Sequence, residues 1–537
     1  MHHCFRIPEL RQQIFSAVYS SDEEDSLRRR HDSIFLQWPN PIDSSSRQTL
    51  ATLARTCRVF SEPALDILWA RLDSLEPLVF CFPDNIWSVS DEGVIDLKAP
   101  ILAVAWHKFQ RHARRVRVLG SDSPLFGSNL PLFGKMSKDF IIALGCFPSR
   151  EGLLPNLREL YWHNLRDDDL DPFMRYFLTP TLRSIRIYSD TCTIAQCSVV
   201  SSIATICHEL EIFEYYPASD APTDVDVLDA ISEYGWVSMG TLRALKITSS
   251  FRMSNFYFPK NLNSLSVEFI PDGWNNFGPQ CVETLQNLKL RSPELWPCIR
   301  FIQKLHAPFL RKLIVECEFH SPSASRGELF TSLQSKFSCS TMESITVKVA
   351  KPHTGNSGEY PCTMQTIRPL LSFSLLKELH LDPLNMSHID DIDIQEIASS
   401  LPNIEWLILG TRYFWEETPK LTLNGVNVLL ARCPRLRTLG LVIDATVLDP
   451  VTQEKLGGGV PNITITTLYV GCSKIHDPTK VAVILSGILP SLRRIVVELY
   501  PNRHREARQA KWKEVAEHLQ SFAKIRGQGR QKNGVEL

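Results

Sequence analysis

The side chains able to do chemistry in this chain are scattered rather than assembled. Three carboxylates stand together at Asp167-Asp168-Asp169 and two at Asp390-Asp391. Such groups can share a proton or hold a cation. Here both clusters precede helical patterns, where negative charge favours the N-terminal end of the helix dipole. His2 and His3 are metal-ligating types with no third ligand near them in sequence. Gly457-Gly458-Gly459 could let a backbone approach a phosphate, yet it lacks the strand before and the helix after that such loops need. The sequence has no P-loop, G-x-S-x-G, H-E-x-x-H or G-x-G-x-x-G motif. No catalytic residue, metal site or cofactor is therefore expected, and an enzyme on an α/β arc is the least favoured class.

The fourteen cysteines make no C-x-x-C pair. Cys57, Cys207 and Cys433 sit in apolar contexts where a free thiol acts as a small hydrophobe. Neither a zinc site nor a disulfide framework fits that spacing. No stretch nears the ~18 uninterrupted apolar residues of a membrane span, and the N-terminus has no apolar leader core. A reducing location, cytoplasmic or nuclear, is expected, with the sequons at Asn385 and Asn462 arising by chance. A net charge of −1 over 537 residues gives no overall attraction to nucleic acid or membrane. The basic residues near the end, Arg503 to Arg526, alternate with Glu506, Glu514 and Glu517 and read as a solvated helix face.

What dominates is a repeat. Thirteen times between Leu157 and Val497 an apolar residue is followed by another three on and a third two after that, as in Leu157/Leu160/Trp162 and Leu313 within Leu310/Leu313/Val315. Starting points lie about 20 to 34 residues apart, averaging about 28, close to the ~20–29 period of leucine-rich repeats. The second and third apolar residues, two apart on a strand, face one way. Helical patterns at 195–207, 292–305, 327–337, 363–372, 391–400, 422–432 and 478–489 separate many of the strands. Entries such as LPNLREL, LPNIEWL, CPRLRTL and LPSLRRI place proline where a helix must stop. The expected fold class is α/β: a short all-helical N-terminal module, then an irregular leucine-rich-repeat solenoid with a curved parallel sheet and outer helices. The expected segments are a helical module at 1–72 with an inserted loop at about 20–46, a connecting region at 73–150 with a degenerate first strand around Val116 to Leu119, repeats at 151–500, and a capping helix and tail at 501–537. Trp512, Val515, Ala516, Leu519, Phe522 and Ala523 form one face of that last helix, at about 505–525, and the final dozen residues read as a frayed tail.

Within the first segment, helical spacing covers 7–18, resumes at Leu50, and restarts with Ser61 as N-cap and Pro63 in the first turn. Ile7-Pro8-Glu9-Leu10 with Ile14, then the run Leu50 to Phe60, then Ala64-Leu65 and Leu68-Trp69 resemble an F-box. With the repeats, the whole chain resembles fungal-type F-box/leucine-rich-repeat proteins. The inserted loop departs from the compact family pattern, and the asparagine ladder common in the repeat turns is missing.

The resemblance implies a substrate-recognition adaptor of an SCF-type cullin–RING ubiquitin ligase. Its F-box would bind a Skp-type adaptor and its repeats an unknown protein substrate, with catalysis in other subunits. Pro8, Leu10, Ile14, Leu53, Cys57 and Trp69 would supply the adaptor-binding patch. The alternatives are a module that merely caps the first repeat, leaving a protein-binding scaffold without ligase recruitment. On the inner face, alternation sends a central row toward the concave side, from Tyr161, Arg186, Glu214 and Lys246 through His380, Ile408, Gly440, Tyr469 and Val496. Its last four members are uncharged, and Trp406 and Val442 flank them. Trp406, Ile408, Val442, Tyr469 and Val496 are accordingly the expected substrate contact, unless the C-terminal tail folds back over them.

Overall fold

Each repeat phrase becomes one turn and one strand, and in several units proline sets the geometry of the turn. The amide of Leu157 donates to the carbonyl of Leu154 (3.1 Å), Ile404 to Leu401 (3.3 Å), Leu436 to Cys433 (3.2 Å) and Leu492 to Leu489 (3.1 Å). In each four-residue turn the second position is proline, whose fixed φ suits that place and whose missing N–H is not needed there. The strand follows at once.

The structure is a computed structural model. It describes residues 7, 9, 10, 13–15, 44–121, 132–146, 152–164, 171–189, 194–217, 236, 239–249, 257–269, 278–318, 323–349, 362–382, 385–412, 417–447, 461–497 and 505–533. The chain divides into two compact units, Met1–Ser249 with Asn255–Leu265, and Ser250–Ser254 with Ser266–Leu537.

In the first unit the parallel strands follow chain order: Arg71–Leu72, Val118–Leu119, Glu159–Asn164, Ser184–Ser189, Ile212–Pro217 and Ala244–Ser249. The register puts Leu160 beside Ile185, Ile185 beside Phe213 and Phe213 beside Leu245. In the second unit the order is Asn287–Ser292, Lys312–Cys317, Ser344–Val349, Glu378–Asp382, Trp406–Leu409, Thr438–Leu441, Thr467–Gly471 and Arg494–Val497. Leu288, Leu313, Ile345, Leu379, Leu407, Leu439, Leu468 and Ile495 form one unbroken row. Every member of the first twelve apolar triplets is buried. Only in the thirteenth, on the last strand, are Ile495 and Val497 half-exposed. The fold is α/β with leucine-rich-repeat-like units, as the phrase and its period required.

The helices between strands fall at Ile194–Ile206, Leu295–Lys304, Ser323–Lys336, Met364–Ile367 with a 3-10 turn to Ser372, Asp391–Ser400, Leu423–Arg432 and Pro478–Ile488. Asp390 caps its helix: its carboxylate accepts from the amides of Ile392 and Asp393, both at 2.9 Å, and Asp393 returns a bond to the Asp390 amide. That reciprocal box accounts for Asp390, and Asp391 instead accepts from the Thr422 amide at 2.8 Å and the Thr422 hydroxyl at 2.7 Å. Asp167 to Asp169 lie outside the described residues.

Two local expectations are corrected. The helix containing Pro63 is Arg58–Leu68, capped by Cys57 rather than Ser61, and proline sits inside it. The amides of Phe60 and Ser61 both bond back to the Cys57 carbonyl, so the helix has nucleated before proline removes one donor. At the other end the helix is Arg505–Asn533, extending through residues read as tail. Its run of Arg, Gln and Lys favours helix enough to carry Gly527 and Gly529. Trp512, Val515 and Leu519 are buried, and the helix packs on Pro478–Ile488 and on the final strand.

The connecting region holds more order than its sequence shows. It contains the short strand Val118–Leu119, an antiparallel pair Trp87–Val89/Ile95–Leu97, and helices Ala103–Ala113 and Lys138–Gly145. Phe82, Trp106, Phe109 and Phe140 bring aromatic stacking to its core.

Candidate partner-binding surfaces

The N-terminal helices close a core of their own. Phe15, Leu50 and Ala64 are buried together, with Leu53, Ala54, Phe60, Ile67 and Leu68 packed around them, and Phe15 meets Phe60 edge-on at 5.5 Å. Outside that core, Ile7 is 46 % exposed, Leu10 37 %, Ile14 37 % and Val59 43 %. Ile7, Leu10 and Ile14 are spaced to share one helix face. Of the six expected adaptor contacts, then, Leu10 and Ile14 face outward and Leu53 faces the core. Cys57 is half-buried at the cap of the second helix, and Pro8 lies outside the described residues. Ile7 and Val59 are the additions the structure makes, and the same i, i+3, i+7 spacing would have found the first.

Trp69 is half-buried against the ring of His112, 4.5 Å away. It ties the module to helix Ala103–Ala113. The same joint carries ion pairs, with Arg115 bonding both Glu62 and Asp66 and Arg111 reaching Glu62 at 3.4 Å. The Arg115 guanidinium holds the Glu62 carboxyl below its ordinary range. Burial pushes the His112 imidazole down, and the charges of Arg115 and Arg111 push the same way. Both shifts have one sign. Each group's folded value is depressed, so its stabilisation is complete above the unfolded value and is lost as pH falls through the folded one. For His112 that loss begins below about pH 6.5. A pH series of thermal melts should show the joint weakening on acidification from that point, and His112→Gln should flatten the histidine part of the profile.

The inner row of the first unit forms as the alternation requires: Tyr161, Arg186, Glu214 and Lys246 are register partners. It is a buried polar network. Arg186 Nε donates to Glu214 Oε2 at 2.8 Å, with both side chains under 5 % exposed. Arg186 also bonds the Tyr161 hydroxyl and lies 4.9 Å from that ring. The Tyr216 hydroxyl donates to the same Glu214 oxygen at 2.7 Å. Two residues further along each strand, His163, Tyr188 and Tyr216 stack at 4.6 and 4.5 Å, and the Lys246 ammonium sits 3.6 Å over the Tyr216 ring. Gly120 makes the close approach beside it possible. Its φ is +88°, and a Cβ there would lie 2.6 Å from the Tyr161 carbonyl oxygen.

The second unit's inner row runs Lys289, Ile314, Thr346, His380, Ile408, Gly440, Tyr469, Val496 in register. Lys289 pairs with Glu316 at 3.0 Å, and Arg291 with Glu268 at 3.4 Å. At the uncharged end the structure brings the five expected contact residues to one end of the sheet but grades them by depth. Ile408 is 4 % and Val442 3 % exposed, so these two are buried rather than presented. Adjacent inner side chains stand only about 5 Å apart, and Ile408 fills the space left by Gly440, where a Cβ would come within 3.1 Å of it. Val442 packs on Cys472. Trp406, Tyr469 and Val496 are half-exposed.

The remaining candidate groups are structural. Cys207 and Cys433 are buried, their thiols pushed up by burial to about 12 and about 11. Asn462 is 7 % exposed, donates to the Leu436 carbonyl at 2.9 Å and accepts from the amides of Thr464 and Ile465. Asn385 is buried as well, so neither sequon presents its amide. Among the described residues no cluster of His, Cys, Asp and Glu is placed to hold a metal. No helix there is long and apolar enough to cross a membrane.

No protein-family model matches the chain, and no curated protein matches it. Among solved structures it resembles the crystal structure of the Rad7 and Elc1 complex in yeast. Identity is 17 % and the TM-score 0.34, over 59 % of this chain and 77 % of that one. At that level the likeness carries no argument, and the fold rests on the strands themselves.

Proposed function

We propose that this chain is the target-recognition subunit of an SCF-type cullin–RING ubiquitin ligase. Its N-terminal helices dock on a Skp-type adaptor, and its repeats hold the protein target. The observation that supports the docking half is the module's two-sidedness. Phe15, Leu50 and Ala64 complete an internal core, yet Ile7, Leu10, Ile14 and Val59 remain outside it as apolar surface. Apolar side chains at the centre of an interface with a polar rim are what a stable partner covers. Leu10→Asp/Ile14→Asp is the informative variant, because both residues face outward and the inner core stays intact. It should lose adaptor binding with its melting temperature unchanged; loss of neither would reduce the module to a cap.

For the target half, Trp406 and Tyr469 are the anchors. They are half-exposed at the end of the sheet where Ile408 and Val442 are buried, and exposed aromatic side chains often carry much of a binding energy. Trp406→Ala/Tyr469→Ala should weaken a captured target by about 2 kcal/mol or more, read by titration. Unchanged affinity would move the target contact elsewhere on the repeats.

A further inference from the structure

Just before each strand, the chain passes one residue whose backbone bonds to its counterpart in the neighbouring repeat. In the second unit five of these residues, from Arg311 to Arg437, alternate in charge, with uncharged Gln286 on one side and Thr466 then Arg493 on the other. The amide of Glu343 donates to the Arg311 carbonyl, Lys377 to Glu343, Glu405 to Lys377 and Arg437 to Glu405. Their side chains pair accordingly, Arg311–Glu343 at 3.3 Å, Lys377–Glu343 at 2.7 Å and Arg437–Glu405 at 3.6 Å. Along that stretch each cation has a carboxylate beside it.

The same edge of the first unit is different. Its row is Arg117, Arg158, Arg183, Glu211 and Arg243, linked by amide-to-carbonyl bonds of 2.8 Å, and 2.9 Å at the last step. Three arginines stand consecutively, neighbours about 5 Å apart along the sheet. Arg158 and Arg183 are exposed. The Arg117 guanidinium is held in place by the carbonyls of Arg114 (3.1 Å) and Asn156 (3.3 Å). Counter-charge is scarce. Arg183 has Glu209 at 3.6 Å and Glu211 at 3.8 Å. Asp66 acts on Arg117 from a distance but is bonded to Arg115. Among the described residues no carboxylate lies within ion-pair reach of Arg117 or Arg158. Burial, then the nearby Arg158 charge, lowers the Arg117 pKa. An anion laid across the row would relieve that repulsion.

The geometry points to a cationic docking strip formed by Arg117, Arg158 and Arg183, fitted to a short acidic segment of a partner protein. Guanidinium forks match carboxylate and phosphate oxygens two at a time. In an extended peptide, side chains on one face recur about every 7 Å, a spacing that flexible arginines about 5 and 10 Å apart can meet. A nucleic acid fits less well. Its affinity is built from many phosphate contacts, and this strip offers three cations on a chain of net charge −1. The proposal does not depend on the adaptor reading, because it concerns the chain alone.

The test is fluorescence anisotropy on the full-length chain with three labelled probes: a glutamate-rich peptide, the same peptide with two phosphoserines, and a single-stranded oligonucleotide. Either peptide should bind, more weakly as salt rises, and comparing the two tells carboxylate from phosphate recognition. Arg158→Ala and Arg158→Glu should each weaken peptide binding, the reversal by about tenfold or more. Arg437→Glu, on the paired stretch of the second unit, should leave it unchanged, with circular dichroism confirming that all variants fold. Equal affinity in wild type and both Arg158 variants, or no peptide binding at all, overturns the strip. Tighter binding of the oligonucleotide than of either peptide reassigns it to nucleic acid.

Discussion

Arg186→Met should be the most damaging single substitution on the inner face, destabilising the first unit by about 3–5 kcal/mol. The cost arises from what is left behind rather than from the pair itself. Glu214 is 1 % exposed, and one of its oxygens accepts from both Arg186 and Tyr216. Its other oxygen, Oε1, is buried with no hydrogen-bond partner among the described residues. Removing the guanidinium strands a carboxylate in a site from which water is excluded, so the group must take up a proton or the strands must open. The double variant Arg186→Met/Glu214→Leu separates these effects, since replacing both members of a buried pair is often close to neutral. Urea melts of the two singles and the double complete the cycle. Rescue by the double supports a stranded charge; equal losses in all three would mean that packing around Tyr161 dominates instead.

Trp512→Ala should cost about 3–5 kcal/mol at the C-terminal end. Trp512 is 1 % exposed and donates its indole N–H to the Ser473 carbonyl at 3.2 Å. Val515 and Leu519 continue the contact, and Lys511 adds a bond to the Ile475 carbonyl at 3.3 Å. A parallel strand at the end of a sheet has an unpaired edge, and a covering helix is one way to protect it. Loss of the helix would uncover Arg494–Val497, whose Ile495, Val496 and Val497 are already half-exposed. Limited proteolysis should therefore cut the variant first near residue 505, and light scattering should show self-association. Trp512→Phe, which keeps most of the volume but loses the hydrogen bond, should cost only about 1 kcal/mol.

The repeats were legible because one physical demand recurs in every unit. A strand with helices on one side must bury Leu313, Ile345, Leu379 and their equivalents, and that demand writes itself at a fixed spacing. Proline at the second turn position stands before six of the strands, at Pro155, Pro180, Pro308, Pro402, Pro434 and Pro490. The inner row was also readable, since alternation alone puts Arg186 beside Glu214 and Ile408 beside Gly440. Depth was not. Whether Ile408 lies open or covered depends on a neighbour having no side chain, and on strand spacing of about 5 Å, neither of which periodicity measures. The region from Arg71 to Gly145 was obscure for a related reason: its strands are two or three residues long, and its core is built from Phe82, Trp106 and Phe109 rather than from a repeat. The positions of Arg117, Arg158 and Arg183 follow from the phrase, since each comes directly after Val116, Leu157 or Leu182; which carboxylates reach them depends on side-chain placement that periodicity does not give.

The most direct test of the central claim is calorimetric titration of the full-length chain with a purified Skp-type adaptor, beside Leu10→Asp/Ile14→Asp with a matched melting temperature. One adaptor should bind per wild-type chain and none per variant chain. A folded wild-type chain that binds no adaptor, or a variant that binds as well as wild type, would contradict it and leave a repeat protein that holds its target without recruiting a ligase.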